Sequence, residues 1–143
     1  MLDTNKQLFE AACYFLSKRE YGAKELRDKL SRKFREVNRE QINELLEKLQ
    51  DLNYQSDKRY ADMFIRARYN RNYGENHIRQ EALYKGLDRD LVENAFQELA
   101  LDFSSTCAYL ANKHSKLDPP KLIRKLVAKG CAFQMVLNII KKT

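Results

Sequence analysis

Hydrophobic residues recur at three- and four-residue spacing through the first third of the chain, which is the period of helices that bury one face. Three such stretches follow one another, at residues 6–20, 23–34 and 38–52. Gly22 and Asn38 suit the cap positions before the second and third stretches. Asn53 follows the last apolar residue, where asparagine tolerates the left-handed conformation that ends a helix. The pattern predicts a unit of three helices.

The same order of signals returns twice. Tyr73-Gly74 repeats Tyr21-Gly22 at an interval of 52 residues, and Lys129-Gly130 repeats Lys85-Gly86 at an interval of 44 residues. Glycine after the last apolar residue is a common helix terminator. Tandem helical units of about 45 to 50 residues build elongated, curved arrays. The sequence therefore predicts an all-α fold of nine helices in three tandem three-helix repeats, at residues 1–53, 54–100 and 101–143.

The helix predicted from Asp57 onwards has a basic outer surface. Five cations lie between residues 58 and 71, against the single acid Asp62. At about 100° per residue, Arg59 and Arg66 lie opposite the apolar face, so we expect them to face solvent or a partner. Arg68 lies at the edge of the apolar face, where a guanidinium needs a carboxylate or carbonyl partner. A structural role in an ion pair and a binding role are both open for Arg68.

The net charge of +7 is concentrated in the last third of the chain. Lys and Arg outnumber Asp and Glu by 8 to 2 in residues 102–143, whereas residues 1–52 (11 to 10) and 53–101 (8 to 8) are balanced. A basic third suggests an anionic partner, such as nucleic acid, a nucleoprotein or an acidic protein surface. The candidate residues for binding a partner or DNA are Arg59, Arg66, Arg68, Arg71, Arg79, Lys85, Lys121, Arg124, Lys125 and Lys129.

The remaining residue types favour a binding protein over an enzyme. The apolar runs fall far short of the ~20 residues that span a bilayer, and the N-terminus lacks the apolar core of a signal peptide, so we expect a soluble, cytoplasmic protein with no membrane partner. Cys13, Cys107 and Cys131 form no close pair and are expected to be buried, reduced thiols. His77 and His114 are isolated, and no glycine belongs to a phosphate-binding loop. We expect no catalytic, cofactor or metal site.

A family resemblance is carried by the middle of the chain. The matching residues are Asp57, Arg59-Tyr60-Ala61, Arg66, Arg68, Tyr73-Gly74, Ile78-Arg79-Gln80-Glu81, Leu83 and Lys85-Gly86-Leu87. They resemble the hallmark of the RecX family of bacterial regulatory proteins, which modulate the RecA recombinase. The resemblance covers nearly the whole chain and is looser beyond Phe103. Two departures are Glu75 and His77, which stand where the family usually has proline and a basic residue.

The resemblance implies an all-helical, curved monomer of three repeats that lies along the groove of the RecA filament on single-stranded DNA. Such a protein is expected to inhibit strand exchange and ATP hydrolysis, and to block filament extension or promote disassembly. It would limit recombination and SOS DNA-repair signalling without a cofactor of its own. Contacts with single-stranded DNA are expected to be weak or made through the filament.

Two other binding functions stay open at this point. Three-helix units with basic helices also resemble helix-turn-helix modules, so an autonomous DNA-binding protein is the alternative. The second helix of the middle repeat, Gly74 to Lys85, weighs against it because its two cations are matched by two acids. A peptide-binding helical scaffold is a third possibility, although the repeat is longer than the 34-residue type.

Overall fold

The computed structural model describes residues 4–142, which form nine α-helices and no strand. The predicted number and order of helices are confirmed, and the observed bounds lie close to the expected ones. In chain order the helices are α1 (Thr4–Lys18), α2 (Ala23–Lys33), α3 (Arg39–Asp51), α4 (Asp57–Asn70), α5 (Glu75–Tyr84), α6 (Arg89–Leu99), α7 (Phe103–Lys113), α8 (Pro119–Ala128) and α9 (Phe133–Lys141).

Each run of three helices packs around its own hydrophobic cluster, and within each run all three helices contact one another. We call α1–α3 the first unit, α4–α6 the middle unit and α7–α9 the third unit. In the described part of the chain, the first cluster has nine buried residues, the middle cluster eleven and the third cluster five. The predicted all-α array of three-helix units is confirmed, and its third unit has the smallest core.

Polar side chains cap five of the described helices, and the predicted cap Asn38 is one of them. The Asn38 side chain accepts a hydrogen bond from the Gln41 backbone N–H at 2.9 Å, and the Gln41 side chain accepts one in return from the Asn38 backbone N–H. Asp118 caps α8 and is followed by Pro119, whose fixed φ suits the first helical position. The cap of α4 is Ser56 rather than Asp57. The Asp57 carboxylate is therefore available to another unit.

Left-handed residues end several helices. Asn53 has φ 62°, Gly86 has φ 92° and Gly130 has φ 104°, which confirms these three residues as terminators. Ala100 also adopts a left-handed conformation, with φ 47°, at the end of α6. Its Cβ makes this conformation less favourable than it is for glycine.

Phe103 joins the middle and third units. The sequence pattern places it on the apolar face of the third unit's first helix, but its ring is buried in the middle cluster. The ring centroid lies 5.4 Å from that of Tyr69 and 6.0 Å from that of Phe96. The first residue of α7 is therefore anchored in the core of the preceding unit.

The expectation of three unpaired thiols is wrong for two of the cysteines. Cys107 and Cys131 form a disulfide bond, whose Cα atoms lie 6.0 Å apart. The two residues are 24 positions apart in the sequence, and the packing of α7 against the start of α9 brings them together. Cys13 is a free, half-buried cysteine, and burial raises the pKa of its thiol.

Candidate partner-binding surface

The first and middle units meet at a junction built from side chains, which we call the first junction. The Asp57 carboxylate accepts a hydrogen bond from the Ala23 backbone N–H at 2.8 Å and so caps α2 from another unit. Gln55, which is buried, donates to the same carboxylate and to the Tyr21 carbonyl, both at 3.0 Å. The bond from Ala23 satisfies one N–H group at the N-terminus of α2, which its own cap residue Gly22 leaves without a side-chain bond, and the Gln55 bonds hold the Asp57 carboxylate in place.

Arg59, which was expected to face solvent or a partner, belongs to the first junction and keeps a side chain that is 38% exposed. Its guanidinium donates to the Glu20 carboxylate at 2.8 Å, and to the side chain and carbonyl of Asn53 at 2.8 and 3.0 Å. A helical-wheel projection considers one helix alone, so it could not show that the first turn of α4 lies beside Glu20 and Asn53. The charge of Arg59 is largely neutralised within the chain.

The middle and third units meet at a second junction built from the backbone. The Gly74 N–H donates to the Lys129 carbonyl at 2.7 Å, and the Asn76 N–H donates to the Gly130 carbonyl at 2.9 Å. The N-terminal N–H groups of α5 are thereby satisfied by the C-terminal carbonyls of α8, and the two helix dipoles are aligned head to tail. A Cβ on Gly74 would collide with the backbone of Gly130 and Cys131.

Two of the candidate arginines are held inside the middle unit. Arg68 donates to both carboxylate oxygens of Glu81, each at 2.9 Å, and its guanidinium lies 4.7 Å from the centre of the Phe64 ring. This confirms that Arg68 has a carboxylate partner at the edge of the apolar face. The hydrogen bonds from Arg68 hold the pKa of Glu81 below its ordinary value. Arg79 likewise bonds the carboxylates of Glu75 and Glu93.

The other candidate cations have no such partners. In residues 4–142 the side chains of five exposed candidates make no hydrogen bond or ion pair: Arg66, Arg71, Lys121, Arg124 and Lys125. Lys85 is half-buried and adds, after Arg19 and Arg68, to the lowering of the pKa of the Glu25 and Glu81 carboxyls. The structure therefore divides the ten candidates into cations that stabilise the array and cations that remain available to an anion.

A group of basic side chains in the third unit includes two residues that the sequence did not single out as binding candidates. His114 ends α7, and its pKa is lowered by partial desolvation and then by the ammonium groups of Lys125, Lys113 and Lys129, so its neutral form is favoured. We call these four residues the third-unit basic cluster. A phosphate bound there would be attracted by the three ammonium groups and would favour protonation of His114. The sequence could have pointed to Lys113 and His114, because these two basic residues end the helix that precedes the basic helix α8.

The third-unit basic cluster continues to the second junction. The Lys129 ammonium lies 5.7 Å from the centre of the Tyr73 ring, and Tyr73 stacks on His77 with centroids 4.5 Å apart. Arg71 precedes this stack at the end of α4. A basic and aromatic surface thus runs from the end of α4 across the junction to α8, and cations beside aromatic faces are typical of nucleic-acid-binding grooves.

Within the described range, no group of three or more His, Cys, Asp and Glu side chains is arranged to hold a metal ion. None of the helices between residues 4 and 142 is long and apolar enough to cross a membrane.

Comparison with known proteins places the chain among bacterial regulators. A family model described as RecX, second three-helix domain, matches residues 56–95, which run from the start of α4 into α6. Regulatory protein RecX of Legionella pneumophila (strain Corby) is 40% identical over 90 residues, covering 63% of this chain and 59% of the relative. The match therefore spans less than two thirds of that relative's length. Regulatory protein RecX of Haemophilus influenzae (strain PittEE) is 32% identical over 116 residues, covering 78% of this chain and 75% of the relative.

Solved structures share the whole architecture. The crystal structure of RecX from Lactobacillus salivarius superposes with a TM-score of 0.81 at 27% identity, covering 96% of this chain and 95% of that one. A second crystal structure, of a regulatory protein RecX, gives a TM-score of 0.83 at 20% identity over 99% of this chain and 73% of that one, a likeness of fold. With the middle unit matched by the family model and three quarters of the Haemophilus relative covered, the chain belongs to the RecX family of regulatory proteins.

Proposed function

We propose that this chain binds the RecA filament on single-stranded DNA and inhibits its ATP hydrolysis, strand exchange and extension, thereby limiting recombination and SOS DNA-repair signalling. Membership of the RecX family is the observation that carries the proposal. The fold supports it, because an array of helical units offers a long surface to a filament groove. The chain acts in the cytoplasm as a monomer and regulator, with no catalytic activity or cofactor of its own.

The third unit is the part that supports a contact with DNA phosphate. Lys121, Arg124 and Lys125 are exposed and have no carboxylate partner in the described part of the chain. When cations without internal partners neutralise phosphates, the counterions condensed on the nucleic acid are released. This release is the main source of sequence-independent affinity for nucleic acid. Lys129 and the rest of the third-unit basic cluster add to this surface.

The middle unit contributes a different set of contacts. Arg66, Arg71 and Lys85 are proposed to touch the recombinase or the DNA that it holds. Arg59 and Arg68 act through the array instead, because each has a carboxylate partner within the chain. Arg79 is neutralised by Glu75 and Glu93 and is proposed to position α5 against α6. In this proposal the chain divides into three successive three-helix repeats, at residues 1–53, 54–100 and 101–143, of which the last is the basic one.

Binding of labelled single-stranded DNA, with and without the recombinase, tests the proposal. The parent chain is compared with a Lys121→Ala/Arg124→Ala/Lys125→Ala variant. The matched control removes three exposed cations of the first unit, as Arg32→Ala/Arg35→Ala/Arg39→Ala. Each lost contact with a single-stranded phosphate lowers the slope of log affinity against log salt by about 0.7, so the third-unit variant should lose about 2 and the control almost nothing. The melting temperatures should change little, because exposed charges contribute less than about 1 kcal/mol to folding.

The outcomes separate the possible functions. Binding that requires the recombinase, or is strongly enhanced by it, supports regulation of the filament. Tight binding to DNA alone, unchanged by recombinase, supports the second candidate function, an autonomous helix-turn-helix-like DNA-binding protein. The third-unit basic cluster is the observation that favours this candidate. An absence of binding in both settings contradicts the proposal.

A further inference from the structure

We infer that the Cys107–Cys131 disulfide is a reversible redox site that sets the stability of the third unit and, through it, the strength of anion binding. The inference rests on the proposed function only where it concerns binding. Its structural part stands on the placement of the two cysteines.

The disulfide makes up a large share of a small core. The third cluster has five buried residues in the described part of the chain, and two of them are Cys107 and Cys131. The first and middle clusters have nine and eleven buried residues and contain no disulfide. A unit with little apolar area to bury gains most from a covalent cross-link. The third unit therefore depends on its cross-link in a way that the other units do not.

The cross-link also lies next to the second junction. Cys131 directly follows Gly130, whose carbonyl accepts the hydrogen bond from the Asn76 N–H. Cys107 lies in the middle of α7, the helix anchored in the middle cluster by Phe103. The disulfide thus ties α7 to the turn between α8 and α9 that forms the second junction.

The same tie fixes the third-unit basic cluster. Lys113 and His114 lie at the end of α7, whereas Lys125 and Lys129 belong to α8 and its cap. Because the disulfide holds α7 against the turn that follows α8, it fixes the spacing between the two halves of the cluster. A cluster whose charges are already in place loses less entropy on binding an anion.

The chemistry requires a small disulfide such as oxidised glutathione as the oxidant. The thiolate of one cysteine attacks that disulfide, forms a mixed disulfide and expels one molecule of glutathione. The thiolate of the second cysteine then attacks the protein sulfur of the mixed disulfide and expels the second glutathione. The two protons lost by the cysteines are taken up by the two glutathione thiolates, and the reverse sequence reduces the bond. Both cysteines are almost fully buried, so exchange proceeds through local opening of the third unit.

The experiment equilibrates the full chain in buffers of graded reduced to oxidised glutathione ratio, quenches with acid and alkylates free thiols with N-ethylmaleimide. Mass spectrometry then counts the adducts, of which the three cysteines allow at most three. One adduct, on Cys13, is expected in oxidising buffer and three in reducing buffer. The oxidised chain should melt about 10 °C above the reduced chain, since closing a loop of this length removes unfolded-state entropy. The oxidised chain should also bind single-stranded DNA about three- to tenfold more tightly.

Two variants make the result decisive. Cys13→Ser is the matched control and should keep the full difference between oxidised and reduced forms. Cys131→Ser should melt at the same temperature in both buffers. Three adducts in every buffer, or a melting temperature of the parent that does not depend on redox state, would overturn the inference. If adducts and melting respond as expected but neither form binds DNA with or without recombinase, the proposed function fails and the redox site stands.

Discussion

The two junctions of this array join equivalent parts of the repeat with different chemistry. In both, the N-terminus of a second helix meets the C-terminal glycine of the next unit's second helix: Gly86 lies against Lys24, and Gly130 lies against Gly74. At the first junction a carboxylate, Asp57, caps the incoming helix. At the second junction backbone carbonyls of α8 accept the N–H groups of α5 directly.

The difference shows what each junction tolerates. The first junction is made by side chains, and the nearest atoms to Gly22 are those of Tyr60 and Asp57 rather than backbone atoms. This junction therefore depends on particular polar groups, the Asp57 carboxylate and the Gln55 amide. Backbone contact at the second junction depends on no titratable group and leaves no space for a side chain at Gly74. Seven of the residues that carry the family resemblance take part in a junction or in an ion pair of the middle unit: Asp57, Arg59, Arg68, Gly74, Arg79, Glu81 and Gly86. Much of that hallmark therefore holds the array together.

The largest expected effect comes from adding one methyl group at each junction. Gly74→Ala should destabilise the chain by about 2 to 4 kcal/mol, because the new Cβ would collide with rigid backbone. Gly22→Ala is the matched control, since its Cβ would meet side-chain atoms rather than backbone, Tyr60 ring atoms at 3.1 and 3.3 Å and an Asp57 carboxylate oxygen at 3.8 Å, and should cost less than about 1 kcal/mol. Both glycines have negative φ, so neither substitution strains the backbone conformation. Urea unfolding measures both, and equal losses would contradict the distinction between the junctions.

An ion pair inside a unit provides the next comparison. Arg68→Ala should lower the free energy of unfolding by about 2 kcal/mol, because the substitution leaves the partly buried Glu81 carboxylate without its bidentate partner. The side chains of the pair are 24% and 26% exposed, so the loss is smaller than for a fully buried pair. Exposed Arg66→Ala is the control and should melt like the parent chain.

The contribution of this pair depends on pH in a definite direction. The pKa of Glu81 is lowered in the folded chain, so the pair stabilises the fold fully above the ordinary carboxyl pKa of 4.5 and loses this effect as pH falls through the lowered folded-state value. The gap in stability between the parent and Arg68→Ala should therefore be constant from pH 7 to about 5 and close at more acid pH. Thermal unfolding across this range measures it, and a gap that widened towards acid pH would show the assigned partner to be wrong.

Removal of one carboxylate, that of Asp57, should weaken the first junction. Asp57→Ala should cost about 1 to 2 kcal/mol, since it removes the acceptor for the Ala23 N–H and for Gln55. Asp57→Asn keeps a side-chain carbonyl at the same position and should recover most of the loss. Chemical denaturation distinguishes the two, and equal destabilisation by both variants would indicate that charge, rather than capping, holds this junction.

The smallest effect concerns the connections that lead into the two junctions. Each connection contains a residue in the left-handed backbone conformation: Asn53 between the first and middle units, and Ala100 between the middle and third units. Ala100→Gly should raise the free energy of unfolding by about 0.5 to 1 kcal/mol, because glycine adopts this conformation without a Cβ penalty. Asn53→Gly should bring no such gain, because the Asn53 side chain accepts a hydrogen bond from Arg59. A stabilising Asn53→Gly would contradict the role given to that bond.

The sequence predicted the fold well because its signals are local. Apolar spacing, the cap at Asn38 and the glycine terminators each depend on a few neighbouring residues, and their return after 52 and 44 residues revealed the three units. Arg68 was correctly expected to have a carboxylate partner, because its place at the edge of an apolar face is also a local property.

The candidate surface was less predictable because it depends on contacts between distant residues. Arg59 is neutralised by Glu20, 39 positions earlier, and Arg79 by Glu93 on the following helix. The Cys107–Cys131 disulfide arises from the packing of one helix against the start of another, which spacing alone does not reveal. Apart from Arg68, the sequence offered no reason to separate the ten candidate cations, whereas the structure shows which of them are neutralised within the chain.

The proposed regulation of the RecA filament is tested most directly by ATP hydrolysis of the recombinase on single-stranded DNA. The purified chain is titrated into preformed filaments at substoichiometric ratios, and the chain alone serves as the control for hydrolysis of its own. We expect recombinase turnover to fall at ratios well below one chain per recombinase protomer, while the chain alone hydrolyses no ATP. Turnover that stays unchanged at micromolar concentrations of the chain would contradict the proposed function.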